Sequence, residues 1–126
     1  MRKEEIKEFK EKADAFLDTA LYNFHKERYD LAAFNIEQAT QLYVKTKLLE
    51  VTGEFPRTHN LAILLKELSN VFRENEVKEF IKTEMESLTK MADVYVTSRY
   101  YTREFYREEI ENLFRAANKI KELLSD

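Results

Sequence analysis

The sequence predicts an all-α fold, an up-and-down bundle of about five helices in a single domain spanning residues 1–126. Three observations carry that expectation. The chain holds one Gly and one Pro, where average usage of about 7% and 5% would supply roughly fifteen. Sheets joined by hairpins need turn glycines, whereas a few long helices do not. Apolar residues recur at i, i+3, i+4 and i+7 through most of the chain, the stripe of an amphipathic helix. Lys and Glu dominate the charged residues, as on helical surfaces.

The first helix is expected over Lys3–Lys26, with Ile6, Phe9, Ala13, Phe16, Leu17, Ala20, Leu21 and Phe24 inward and His25 near its C-terminal end. Asp30 suits the N-cap of a second helix. Tyr29, Ala32, Ala33, Ile36, Ala39, Tyr43 and Thr46 form its face, with alanines that permit close approach of a neighbour. Gly53 fits a positive-φ position just past that helix, and Pro56 follows it. The only Gly and only Pro thus share one loop, the firmest boundary in the chain.

Thr58 is expected to cap the third helix, with Leu61, Leu64, Leu65, Leu68 and Phe72 inward, and Arg73–Glu76 reads as a polar turn. A fourth helix buries Val77, Phe80, Ile81, Leu88, Met91, Ala92 and Tyr95. The segment VTSRYYT after Tyr95 reads as a loop. Thr102 caps a last helix with Tyr106, Ile110, Leu113, Phe114, Ala117, Ile120 and Leu124 inward. Glu104, Glu108 and Glu109 lie near its positive end.

Composition removes several chemistries. The absence of cysteine excludes disulfides, thiolate metal sites and a Cys nucleophile, and fits a cytoplasmic location. One glycine cannot build a Gly-rich phosphate loop. Two histidines far apart make no zinc motif, and no Glu-x-x-His pair suits a diiron bundle, so no metal or cofactor is expected. The charged start MRKEEIKEFKEK lacks the apolar core of a signal peptide. No stretch approaches the roughly 18 apolar residues of a membrane span. A net charge of −3 provides no global field for a polyanion, so any such contact is a local patch.

Tyr29, Ala32, Ala33, Phe34, Gln38, Ala39, Lys45, Leu48, Leu49, Gly53, Pro56, Thr58, His59, Leu61, Leu64 and Leu65 form an ordered pattern. A Gln-Ala helix runs through Lys and Leu to a Gly, then come a Pro, a Thr-His pair and a leucine-rich helix. This pattern resembles the HEPN domain (higher eukaryotes and prokaryotes nucleotide-binding). Arg99-Tyr100 matches a second feature, an Arg-Tyr-Pro before the last helix, with Tyr101 in place of the Pro. The resemblance implies a helical bundle that homodimerises, works beside a small nucleotidyltransferase as in toxin–antitoxin pairs, and contacts nucleotide or RNA. Ribonuclease members carry an Arg-x(4–6)-His motif, in which His handles the proton of the attacking 2′-hydroxyl and Arg stabilises the phosphorane charge. Here the residues at that spacing are Asp18, Thr19 and Ala20 before His25, and Thr52, Gly53 and Glu54 before His59. The expectation is therefore a non-catalytic accessory protein with no catalytic residue. The alternative is a metal-independent ribonuclease using His59 with Arg57 or Arg99.

The candidate nucleotide or phosphate contacts are Arg57, Thr58 and His59 at a helix start, where free backbone N–H groups suit an anion, together with Lys45, Gln38, Arg99 and Tyr100. Each has a plain structural counterpart. His59 caps or packs against the loop while Arg57 is solvated. Gln38 makes an interhelical or dimer hydrogen bond, or lines a polar groove with Asn35 and Lys45. Lys45 snorkels. The run YVTSRYYTREFYR interleaves Arg and Tyr as a base-stacking surface does, or its tyrosines plug the end of the bundle.

Overall fold

The structure, a computed structural model, describes the backbone of residues 2–100 and 104–125 and the side chains of 2–97 and 104–125. It contains six helices: α1 (Arg2–His25), α2 (Tyr29–Thr52), α3 (Leu61–Val71), α4 (Glu74–Thr83), α5 (Met85–Tyr100) and α6 (Arg107–Leu123), with no strand among the described residues. No helix there is long and apolar enough to cross a membrane.

Helix α2 is the hub. It touches α1, α3, α5 and α6, and from Ile36 to Leu49 only Gln38 and Leu42 escape full burial. Ala32, Ala33, Ile36 and Ala39 are fully buried; the small side chains let α1 lie close along one side. The α1–α2 pair is antiparallel. Asn23 Nδ2 donates to Asn35 Oδ1 at 2.8 Å near one end, and the Tyr43 hydroxyl donates to Asp14 farther along. Helix α6 lies beside both, with Phe114 edge-on to Phe24 and Lys121 next to Tyr43.

The turns show where periodicity misjudges an end. Between α1 and α2 the chain reverses at Glu27, which adopts φ 60°. Asp30 is not a cap: it lies in the first turn of α2, whose N-cap, Arg28, makes no side-chain capping bond. There its carboxylate still favours the positive helix end. Gly53 closes α2 at φ 85°, its N–H bonded to Leu49 O, as the loop composition predicts. Asn60 rather than Thr58 caps α3, its Oδ1 accepting from Ile63 N at 3.1 Å. Thr58 Oγ1 instead accepts from Asn60 N, which shapes the approach. Asn60→Ala is expected to cost about 1 kcal/mol and Thr58→Ala less, read as a shift in urea midpoint at unchanged slope.

Two helices occupy the stretch expected to hold one. The fourth breaks at Glu84, without Gly or Pro, and the Glu84 carboxylate is held by Lys119 of α6 at 2.7 Å. Arg73, in the expected polar turn, takes φ 42° and donates to Leu123 O at 2.7 Å. Residues 96–100 continue α5 instead of forming a loop. Thr102 lies outside the described residues, and the N-cap of α6 is Tyr106, whose N–H is bonded by Glu109 Oε1 at 2.9 Å. Because Tyr106 precedes the helix, the helical period does not apply to it. It is 72% exposed, and Phe105 fills the core in its place. Leu21 and Ala92 also turn outward.

Candidate functional site

Helix α2 carries an unusual load for a central helix: Glu37, Thr40, Gln41, Lys45, Thr46 and Lys47 are all buried. Buried polar groups demand partners, and here three of them build a site with the half-buried Gln38. Glu37, Gln41 and Lys45 recur every fourth residue and share a face, with Gln38 beside them. Glu37 Oε1 accepts from Gln38 Nε2 at 2.8 Å, and its other oxygen accepts from Gln41 Nε2. An ionised carboxylate only accepts, so both amides turn their NH2 groups toward it.

That orientation passes outward. With its NH2 on Glu37, Gln41 presents its carbonyl oxygen to His59 Nδ1, 3.3 Å away. An acceptor at that point helps to orient the imidazole ring. The ring stacks on Tyr95 of α5 at 5.2 Å between centroids. Lys45 Nζ lies 3.5 Å from the same Nδ1 and 5.7 Å from the Phe55 ring centre. Burial pushes the Lys45 ammonium below the ordinary lysine pKa, and the Glu37 charge only partly restores it.

These groups border a cleft of about 310 Å³ lined by Phe9, Lys12, Phe16, Gln38, Gln41, Leu42, Lys45, Phe55 and His59. Phe9 and Phe55 pack against each other there, with ring centres 5.0 Å apart. The lining thus joins aromatic rings to polar groups that include two lysines, a composition suited to a planar ring carrying negative charge.

The candidates named from sequence divide here. Gln38, Lys45 and His59 come together. Arg57 and Thr58 do not: they line a separate cleft with Leu48, Pro56, Glu67 and Asn70. Arg99 and Tyr100 fall in the last turn of α5, and their side chains lie outside the described residues. Asn35 spends its side chain on the α1 contact rather than on a groove. Sequence reasoning missed Glu37, Gln41 and Lys12. It also counted Phe9 and Phe16 as core, where both are half-buried. The four-residue spacing of Glu37, Gln41 and Lys45 was the available signal.

A second polar cluster, between α1, α2 and α6, is structural. The Asp14 carboxylate receives the Tyr43 hydroxyl, and Lys121 Nζ lies 2.9 Å away. Burial raises the Asp14 pKa, but the hydrogen bonds from Tyr43 and Lys121 and the Lys121 charge outweigh it, and the net shift is downward. Burial and the adjacent Asp14 push the Tyr43 hydroxyl up, so it stays a donor. A depressed carboxylate stabilises the fold above its unfolded pKa and loses that contribution as pH falls through the folded value. The stability gap between wild type and Asp14→Asn should therefore be full at neutral pH and shrink in acid below about pH 3.8, as followed by urea unfolding across pH. A gap independent of pH would assign the effect to packing.

Among the described residues no group of His, Asp and Glu is placed to hold a metal ion. Among curated proteins no match was found. A family model, the HEPN domain, matches residues 6–126, nearly the whole chain. With six helices among the described residues, four of them packed on a buried α2, and that match, the chain belongs to the HEPN domain family, whose general role is nucleotide- or RNA-related.

Proposed function

We propose that the protein is a non-catalytic HEPN accessory module that holds a nucleotide, free or within RNA, in the cleft between α1, α2 and the α2–α3 loop. In this reading it homodimerises and works in the cytoplasm beside a small nucleotidyltransferase, in the manner of a toxin–antitoxin pair. The observation that carries the nucleotide reading is the cleft's composition: Phe9, Phe16 and Phe55 offer faces for a base, and Lys12 and Lys45 offer charge for a phosphate. The net charge of −3 makes such a local pair necessary.

Calorimetric titration with ATP is the direct test. Saturable binding at or below millimolar ligand is expected, and Arg57→Ala should leave it unchanged because Arg57 lines the other cleft. No binding at millimolar ATP removes the reading. For the partner, co-purification of a nucleotidyltransferase with the tagged protein from its native cells is expected. A lone monomer in sedimentation would remove that part.

A second reading, a metal-independent ribonuclease, draws on one observation. The Glu37–Gln41–His59 chain holds an imidazole at the edge of the cleft, as a general base requires. RNA incubated in EDTA with wild type and His59→Ala separates the two readings. Cleavage lost in the variant supports the enzyme, and equal cleavage or none supports the binding module.

A further inference from the structure

We propose that Gln38, oriented by the buried carboxylate of Glu37, makes this cleft select adenine. The inference rests on the nucleotide reading above and adds which base is taken and why.

Glu37 is 1% exposed, so its charge must be met by hydrogen bonds inside the protein. Two of those come from the amides of Gln38 and Gln41. Turning either amide over would set a carbonyl oxygen against a carboxylate oxygen, so neither is free to flip. Gln41 is consumed at both ends, with NH2 on Glu37 and carbonyl toward His59. Gln38 is consumed at one end only. It is half-buried and lines the cleft, and among the described residues nothing donates to its carbonyl oxygen. The cleft thus contains a hydrogen-bond acceptor whose polarity the protein has fixed, with the second amide hydrogen next to it.

That pair is complementary to adenine, whose N6 amino group donates beside a ring nitrogen that accepts. A side-chain amide reads adenine in this way. Guanine and hypoxanthine place a carbonyl oxygen where the amino group would be, so two acceptors would face each other. An unlocked glutamine would rotate to suit either base; this one cannot without losing its bond to Glu37. A purine also exploits the aromatic lining, where the Phe9 and Phe55 ring centres are 5.0 Å apart, better than a smaller ring does. Lys45, 7% exposed, and Lys12 lie on the same cleft to receive phosphate.

The test compares ATP with ITP, which differ only at position 6 and the adjacent N1, by calorimetry on the full chain in metal-free buffer. ATP is expected to bind about tenfold more tightly, and Gln38→Leu to bring that ratio to about one. Equal affinity of wild type for ATP and ITP overturns adenine selection and leaves the nucleotide reading standing. Binding of neither overturns both. A ratio retained in Gln38→Leu also overturns the proposal, because the preference would then lie elsewhere. A 5′-phosphorylated adenosine tetramer and its uridine counterpart identify the source. Adenosine tetramer binding more tightly than ATP places the base in a strand, and the reverse makes the ligand a free nucleotide. Tetramers that bind equally while ATP and ITP also bind equally count against base selection altogether.

Discussion

Replacing Ile36 with alanine is expected to cost about 2–5 kcal/mol of folding stability, a loss of the order of 8–20 °C in melting temperature at about 4 °C per kcal/mol. Ile36 is fully buried on α2, the helix against which α1, α3, α5 and α6 all lie. A cavity opened there is bounded by several helices at once. None can close it without leaving its other neighbours, so little relaxation offsets the lost contacts. With total stabilities near 5–15 kcal/mol, the variant approaches the edge of folding at physiological temperature. Leu21→Ala provides the comparison. The residue is 48% exposed, and its truncation should cost well under about 1 kcal/mol. Equal losses at the two positions, measured by urea unfolding, would mean that α2 is not the centre of the core.

That pair also shows where the sequence is informative and where it is not. Ile36 and Leu21 both fit a helical apolar stripe, and periodicity assigns both inward. Periodicity reports which face of a helix is apolar, but not how much of it the neighbours cover. Helix α1 meets the bundle along a narrow line of Ala13, Ala20 and Phe24, and Leu21 lies to one side of it. Helix starts are hard to read for a related reason. Asp30 and Thr58 both carry the right chemistry for a cap, but capping depends on local φ and ψ, and Asn60 competes within two residues of Thr58. The break at Glu84 leaves no compositional mark, since its partner Lys119 is remote in sequence.

The site was half legible. Gln38, Lys45 and His59 were recoverable because a helix of known register and a Gly-Pro loop bring them near one another. Arg57, only two residues before His59, borders the other cleft, next to Phe55, which lines both. Glu37 escaped notice because a glutamate on a helix reads as a solvated surface charge. Only the burial of α2 on nearly every side makes it a structural anion.

Lys45→Met should make the empty protein more stable and the nucleotide site far weaker. Lys45 is 7% exposed, and the cost of burying its ammonium shows in a lowered pKa. The sign follows from linkage. A lysine whose folded pKa lies below its unfolded one weakens the fold at neutral pH, and this penalty fades as pH rises through the folded value toward the unfolded one. Methionine keeps the length and flexibility of the stem while removing the charge. A gain of about 0.5–2 kcal/mol is the usual scale when a functional group held at a cost to the fold is replaced. Because the penalty fades in alkali, the gain should be largest near neutral pH and shrink as pH rises. The ligand reverses the balance. A phosphate in the cleft gives the ammonium a partner, and a charge-assisted hydrogen bond of about 1.5–3 kcal/mol translates to a loss of roughly 10–150-fold in affinity when it is removed. Melting curves with and without saturating ATP therefore cross over: the variant melts above wild type when empty and loses most of the rise that ATP gives wild type. If Lys45→Met melts lower than wild type at pH 7, the lysine belongs to the fold. If it binds ATP as tightly as wild type, the phosphate lies elsewhere. Either result separates the roles that burial and charge assign to Lys45.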